Sequence, residues 1–398
     1  MIAVGLMSGT SLDGIDVALL EVQGERSNLS AAPKWSLLAF HTRPYTLEQR
    51  QSLLQILASG TPRDLARLHT YLGEWLAYAT LELLEREGVS PSAVDAVGSH
   101  GQTVWHEPPG GGQRGFSFQL GCPATIAERT GIGVVSDFRA RDLAAGGHGA
   151  PLVPWADRIL FSSPERTRAI QNLGGMGNVT WLPRAGDHAP VTAFDTGPGV
   201  ALIDGAAALA TGGGETFDRD GKLASRGQVS EPVLREAMAD PFFLSHPPRS
   251  TGRERFGPAF LEGVLARFKD VEEVNLRPGV PEEGWPDVLA TLTALTARSI
   301  GDAYRRWIVP LGLDEVFLTG GGARNPALVE AIARELAPVQ VHPGEDLGMD
   351  PDAREASAFA LLAWAHLKGV PANVPDATGA QGPRVLGSWT PGRKGGGR

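Results

Sequence analysis

One pattern narrows the choice of fold more than any other: a strand, a polar glycine-rich turn and a second strand, met twice. The first copy runs from Ile2, Val4 and Leu6 through Met7-Ser8-Gly9-Thr10-Ser11-Leu12-Asp13-Gly14 to Ile15, Val17, Leu19 and Leu20. The second runs Ala169-Ile170-Gln171-Asn172-Leu173-Gly174-Gly175-Met176-Gly177-Asn178-Val179-Thr180-Trp181-Leu182. Alternating apolar residues on both sides of a glycine turn spell hairpins. The two openings echo each other in pattern, not in residue identity. They predict a duplicated chain, with one lobe over residues 1–167, a second over 168–390 and a disordered tail over 391–398.

Strand and helix signals alternate after each opening, which argues α/β. Trp35 to Thr42 reads as a strand. Pro62 to Glu87 reads as a helix, apolar at Leu65, Leu68, Leu72, Leu76, Ala79 and Leu83, with Gly88 at its end. Ala93 to Gly98 reads as a short strand running into Ser99-His100-Gly101-Gln102-Thr103, and Cys122 to Thr130 as a helix. In the second half, strand Val191 to Phe194 runs into Asp195-Thr196-Gly197-Pro198-Gly199. Strand Glu315 to Leu318 feeds Thr319-Gly320-Gly321-Gly322-Ala323-Arg324-Asn325, and a last helix covers Asp352 to Lys368.

Composition removes several function classes. The net charge of −9 provides no bulk positive field for nucleic acid or an anionic membrane. The most apolar stretch, Ala356 to Ala365, is about half the ~20 residues a membrane span needs. Met1-Ile2-Ala3-Val4-Gly5 lacks a basic n-region and does not read as a signal peptide, so the expected location is the cytoplasm. Cys122 is the single cysteine, which excludes an intramolecular disulfide and argues against a thiolate zinc site. The 51 glycines exceed the usual ~7% and cluster between apolar runs, as tight turns around a ligand require.

The turns carry the chemistry. Ser8-Gly9-Thr10-Ser11-Leu12-Asp13-Gly14-Ile15-Asp16 offers backbone N–H groups to an anion, and Asp13 and Asp16 suit Mg²⁺; a plain hairpin is the alternative. No Gly-Lys-Ser/Thr occurs, so a Walker A loop is absent. Asn172, Gly174 and Gly175 form a second phosphate-facing turn, and Gly320, Gly321, Gly322 and Asn325 suit contact with an adenosine. Asp195, expected at the end of an apolar strand, is a candidate general base or else a turn cap. Arg139 and Arg141 either receive a carboxylate or phosphate or form surface ion pairs. Pro247-Pro248-Arg249-Ser250-Thr251-Gly252-Arg253-Glu254 either orders over an anionic ligand or stays solvated. Glu355 either reaches a pocket or complements a helix dipole.

Together and in this order the segments resemble the anhydro-N-acetylmuramic acid kinase family, within the actin/hexokinase/Hsp70-like sugar-kinase superfamily. The matching residues are Met7 to Asp16, Ser99 to Thr103, Asp137-Phe138-Arg139 with Gly146 to Leu152, and Asn172 to Gly175. Phe194 to Gly199, Ser250 to Glu254 and Gly320 to Pro326 complete the set. The resemblance implies a two-lobe actin/hexokinase-like, ribonuclease H-like duplicated α/β fold with an interlobe nucleotide cleft. It implies ATP- and Mg²⁺-dependent opening and O6 phosphorylation of 1,6-anhydro-N-acetylmuramic acid in peptidoglycan recycling. A related kinase acting on another sugar or acid is the alternative.

The family's ATP segment maps onto Gly9, Thr10, Ser11, Leu12, Asp13, Gly14, Ile15 and Asp16, and its catalytic aspartate onto Asp195. His100, Gln102, Thr103, Arg139 and Glu355 are the expected sugar contacts, with Arg139 on the lactyl carboxylate. The expected partner is this small molecule, with no nucleic acid and no membrane; a homodimer is compatible with the resemblance. Three positions depart from the family pattern: Val200 replaces a usual Asn, Arg249 a frequent Lys, and Cys122 a polar residue.

Overall fold

The computed structural model describes residues 1–9, 12–24, 33–187, 189–272 and 276–393. It forms two compact units, Met1–Phe161 with Asp352–Arg398, and Ser162–Pro351. The expected boundary at 167 is close to this division, but the expected assignment of 352–390 to the second lobe is corrected. The chain returns to the first unit, and a linear reading cannot see a return. Of the expected tail, residues 394–398 lie outside the described residues.

In the first unit, β1 (Ile2–Ser8), β2 (Gly14–Gln23) and β3 (Lys34–Pro44) form an antiparallel meander. β4 (Ala96–Glu107) joins β1 in parallel, carries the antiparallel β5 (Phe116–Leu120) and is followed by the parallel β6 (Val134–Ser136). In the second unit, β7 (Arg168–Leu173), β8 (Gly177–Leu182) and β9 (Thr192–Gly197) repeat the meander. β10 (Glu315–Thr319) and β11 (Gln340–Pro343) repeat the parallel extension. The last strand, β12 (Ser388–Thr390), pairs with β6. The first sheet runs β12-β6-β4-β1-β2-β3, with β5 on β4, and the second β11-β10-β7-β8-β9, so in each the meander is extended by parallel strands on the side of its first strand. The duplication expected from the two hairpins is present in the topology.

Helix Pro62–Arg86 shows how local sequence builds the first core. Thr61 and Asp64 form a capping box, Pro62 opens the first turn, and Leu68, Leu72, Leu76 and Leu83 are buried on one face. Gly88, at φ +65°, follows the end as expected. Helix Arg354–Lys368 covers β1 and β4. Gly5 and Gly98, opposite each other across those strands, make this approach feasible. A Cβ on Gly5 would overlap Ala356 O, and one on Gly98 would overlap Phe359 O. Phe194, Leu292, Leu295 and Tyr304 are among the buried residues of the second core.

Cys122 is the N-cap of helix Pro123–Thr130 and makes no side-chain capping bond. Cys122→Ser places an acceptor there at nearly constant volume. It is expected to raise the unfolding free energy by about 1 kcal/mol, read from the urea midpoint. Two placements differ from the sequence reading. Ser99–Thr103 lies within β4 rather than after a short strand, and Asp195 lies within β9 rather than beyond its end. Each strand continues past its apolar run because its partner continues.

Candidate active site

In the first unit the β1–β2 turn meets the middle of β4, with Ser8 opposite Gln102. Buried Ser8 Oγ donates to Gln102 Oε1 at 2.6 Å. Its one proton is thereby used, so Tyr45 OH donates to Ser8 Oγ at 2.7 Å. The turn is fixed by Leu12, a non-glycine residue at φ +53°, and by Tyr45 N–H donating to Asp13 O at 3.0 Å. Thr10 and Ser11 lie outside the described residues. Gly9, Gly14 and Ile15 flank the turn.

Asp16 Oδ1 accepts from Thr42 Oγ1 at 2.6 Å. Burial pushes its carboxyl up to about 6; the Thr42 bond opposes this, while Asp13, Glu355 and Asp352 add repulsion. A cation relieves such repulsion. Among the described residues no three His, Cys, Asp or Glu side chains converge as a metal-ligand set. Asp13 and Asp16 are two carboxylates, the kind of oxygen donor a hydrated Mg²⁺ accepts.

His100 and Arg139 act as one group. Arg139 Nη2 donates to His100 Nε2 at 2.9 Å, so Nδ1 carries the proton and donates to Gly101 O at 2.8 Å. The imidazole is neutral, pushed down to about 3 by burial and then by the Arg139 charge. Both ring nitrogens are engaged with protein, so the imidazole orients Arg139. Arg139 Nη1 donates to Gly149 O at 2.8 Å, and Gly149 N–H donates to buried Asp142. Burial lowers the guanidinium to about 10, which leaves it charged at neutral pH, with Glu355 as an electrostatic neighbour. Gln102, with its oxygen used by Ser8, donates from its amide to Thr103 O at 3.5 Å. Thr103 Oγ1 accepts from Gln119 Nε2 at 3.3 Å. Glu355 is exposed in the first turn of its helix.

In the second unit, Gly174 O accepts from Val200 N–H at 2.9 Å and Gly175 O from Ala201 N–H at 3.2 Å. The second hairpin turn is thus joined to the start of helix Ala201–Ala210. Gly199, at φ +51°, permits this junction, since a Cβ would overlap Gly174 O. The Gly320–Gly322 segment lies against the same hairpin. A Cβ on Gly320 would come to 2.5 Å from Asn172 Oδ1, and one on Gly322 to 2.8 Å from Leu173 Cβ and 2.7 Å from Val200 Cγ1. Val200 therefore packs a methyl on the glycine segment. Asn325 caps helix Pro326–Leu336, accepting from Leu328 N–H at 3.2 Å and donating to Asp218 O at 3.4 Å. Gly321 opens the short helical turn Gly321–Arg324.

Asp195 Oδ2 accepts from Thr251 N–H at 2.8 Å, while Oδ1 has no hydrogen-bond partner among the described residues. Burial pushes this carboxyl up to about 7. The Thr251 bond and the Arg249 charge hold it lower, and Glu254 raises it. A carboxyl that exchanges its proton near neutrality, with one oxygen fixed and one available, suits general-base work. The loop arginines divide their roles. Arg249 is buried and bonded to protein carbonyls, so it is not the ligand-facing group the sequence suggested. Arg253 is exposed beside Gly175. Tyr45, Thr251 and Asp142 were not singled out as site residues in the sequence. They act through a tertiary hydroxyl contact, a main-chain N–H and a buried loop anchor, none of which has a local signature.

Residues 1–392 match the family model for anhydro-N-acetylmuramic acid kinase. The anhydro-N-acetylmuramic acid kinase of Caldanaerobacter subterraneus subsp. tengcongensis is 44% identical over 393 residues, covering 97% of this chain and 96% of that one. That of Gloeobacter violaceus is 45% identical over 393 residues, covering 98% of each. Among solved structures, the activator of the 2-hydroxyisocaproyl-CoA dehydratase from Clostridium difficile with bound ADPNP aligns over 93% of this chain and 96% of its own. Its identity is 14% and its TM-score 0.43, too low a likeness to bear on the site.

Proposed function

The chain belongs to the anhydro-N-acetylmuramic acid kinase family, and from that premise we propose how its residues divide the reaction. The protein is a phosphotransferase that uses ATP to convert 1,6-anhydro-N-acetylmuramic acid to N-acetylmuramic acid 6-phosphate, in cell-wall recycling. The acceptor oxygen, O6, is locked in an internal acetal and has no proton to remove. A base is needed for water instead. Asp195 Oδ1 takes a proton from water as its oxygen attacks the anomeric carbon. The bond from that carbon to O6 breaks, O6 takes the γ-phosphoryl group, and ADP leaves. The half-bonded, near-neutral Asp195 carboxyl is the observation that carries this reading.

The remaining roles follow the chemistry of each group. Gly9 to Asp16, Asn172, Gly174 and Gly175 are assigned to the phosphates, and Gly320 to Gly322 with Asn325 to the adenosine. Arg139, oriented by His100, is assigned to the lactyl carboxylate, with Gln102, Thr103 and Glu355 on the sugar. Asp13 and Asp16 would hold Mg²⁺, which neutralises phosphate charge during transfer. The reading includes a cytoplasmic protein without nucleic-acid or membrane partners, and a homodimer is compatible with it. Among the described residues no helix is long and apolar enough to cross a membrane.

The test incubates the protein with Mg-ATP and the anhydro sugar. The expected result is one ADP per product and a product heavier by one phosphoryl group and one water. Turnover without the added water sinks the base assignment. No turnover with ATP bound moves the acceptor to another sugar or acid.

A further inference from the structure

β9 is the terminal strand of its sheet, and the segment Arg249–Thr251 lies along its outer edge. Three hydrogen bonds join them, all at Asp195. Asp195 N–H donates to Arg249 O at 3.1 Å, Arg249 Nε to Asp195 O at 2.9 Å, and Thr251 N–H to Asp195 Oδ2 at 2.8 Å. Arg249 is only 7% exposed, yet no carboxylate pairs with its side chain among the described residues. Its Nη1 donates to Phe242 O at 3.1 Å, Phe243 O at 3.3 Å and Ser245 O at 2.9 Å. These carbonyls end the helical turn Pro241–Leu244. The guanidinium carbon lies 4.7 Å from the Phe242 ring centre and 5.2 Å from that of Phe194.

A buried cation held by carbonyls and rings is an expensive way to secure a loop. An apolar residue would secure it at lower cost, so the charge and its fork call for another use. The fork reaches in two directions at once: Nη1 grips the Pro241–Leu244 turn and Nε grips the backbone of residue 195. A lysine ammonium is a point donor and cannot reproduce that span.

We propose that Arg249 is a positioning residue for the base: it locks the backbone at 195, sets Thr251 N–H against Oδ2, and leaves Oδ1 to water. This rests on reading Asp195 as the base. The charged groups bearing on the pair are Glu254, beside Asp195, and Arg306, from the turn Tyr304–Ile308, beside Arg249.

Arg249→Gln and Arg249→Lys, with Asp195→Asn as reference, test the idea through kcat, both KM values and the pH–rate profile of folded protein. Arg249→Gln is expected to lower kcat about 10- to 100-fold, leave both KM values within about twofold, and move the acidic limb to higher pH because a neighbouring cation is lost. Arg249→Lys should restore the position of the limb but not kcat. Folded Arg249→Gln with parental kcat and pH profile overturns the proposal, as does a loss confined to the melting temperature. If Arg249→Gln does not fold, Arg249→Lys decides: parental kcat overturns the proposal, and a lowered kcat with an unmoved limb supports it. An active Asp195→Asn overturns the base reading instead. An inactive Asp195→Asn beside an unaffected Arg249→Gln overturns the positioning role alone.

Discussion

Asp195→Asn is expected to lower kcat by about 10²- to 10⁴-fold, the usual contribution of a positioned base. The variant keeps an oxygen to accept from Thr251 N–H, so the loop stays in place and only the proton acceptor is lost. The parent should show an acidic limb in its pH–rate profile with an apparent pKa of about 7, below which Asp195 carries its proton. The variant's residual rate should lack that limb. Stability moves the other way. A carboxyl raised above its unfolded value of ~4 makes the folded state bind protons more readily between that pH and about 7. Its contribution to stability is present at low pH and fades as pH rises through about 7. Asp195→Asn removes that loss, so above pH 7 the variant should melt no lower than the parent. An inactive and less stable variant would indicate a structural aspartate.

The second large effect concerns the fold. Arg354 Nε and Nη2 donate to Asp157 Oδ1 and Oδ2 at 2.8 and 2.5 Å, with the side chains 8% and 0% exposed. This fork ties the start of helix Arg354–Lys368 to helix Val153–Phe161. Arg354→Ala leaves an uncompensated buried carboxylate and is expected to cost about 3–5 kcal/mol, a large share of the roughly 5–15 kcal/mol that keeps a domain folded. Urea unfolding measures it directly. The double variant Asp157→Leu with Arg354→Met, which removes both charges, should lose much less than the single one. Equal losses would mean that packing, not the charge pair, dominates at this position.

The hairpins, the capped helix Pro62–Arg86 and the α/β class were legible because each is written in neighbouring residues. Asp195 was legible as a carboxylate among glycines, and its near-neutral titration was not, since that depends on burial by residues distant in the chain. Arg249 illustrates the limit. Between two prolines and a Ser-Thr-Gly run it reads as a solvated or ligand-facing cation, while the fold turns it inward onto the carbonyls of Phe242, Phe243 and Ser245. The return of residues 352 onward to the first unit was equally silent. Helix Arg354–Lys368 has the alanine-rich composition of a buried helix, but nothing in it names the two glycines it covers.

That return also orders events during synthesis. Residues 162–351 emerge from the ribosome as one contiguous stretch and contain every strand of their own sheet. The strands β1 and β4 emerge earlier, but the helix that shields Gly5 and Gly98 is translated last of the major helices. The half of the protein made first is therefore finished last. A chain that stops before residue 354 would carry a complete second sheet and an uncovered first one, and that bare face would mark it for chaperones and proteases.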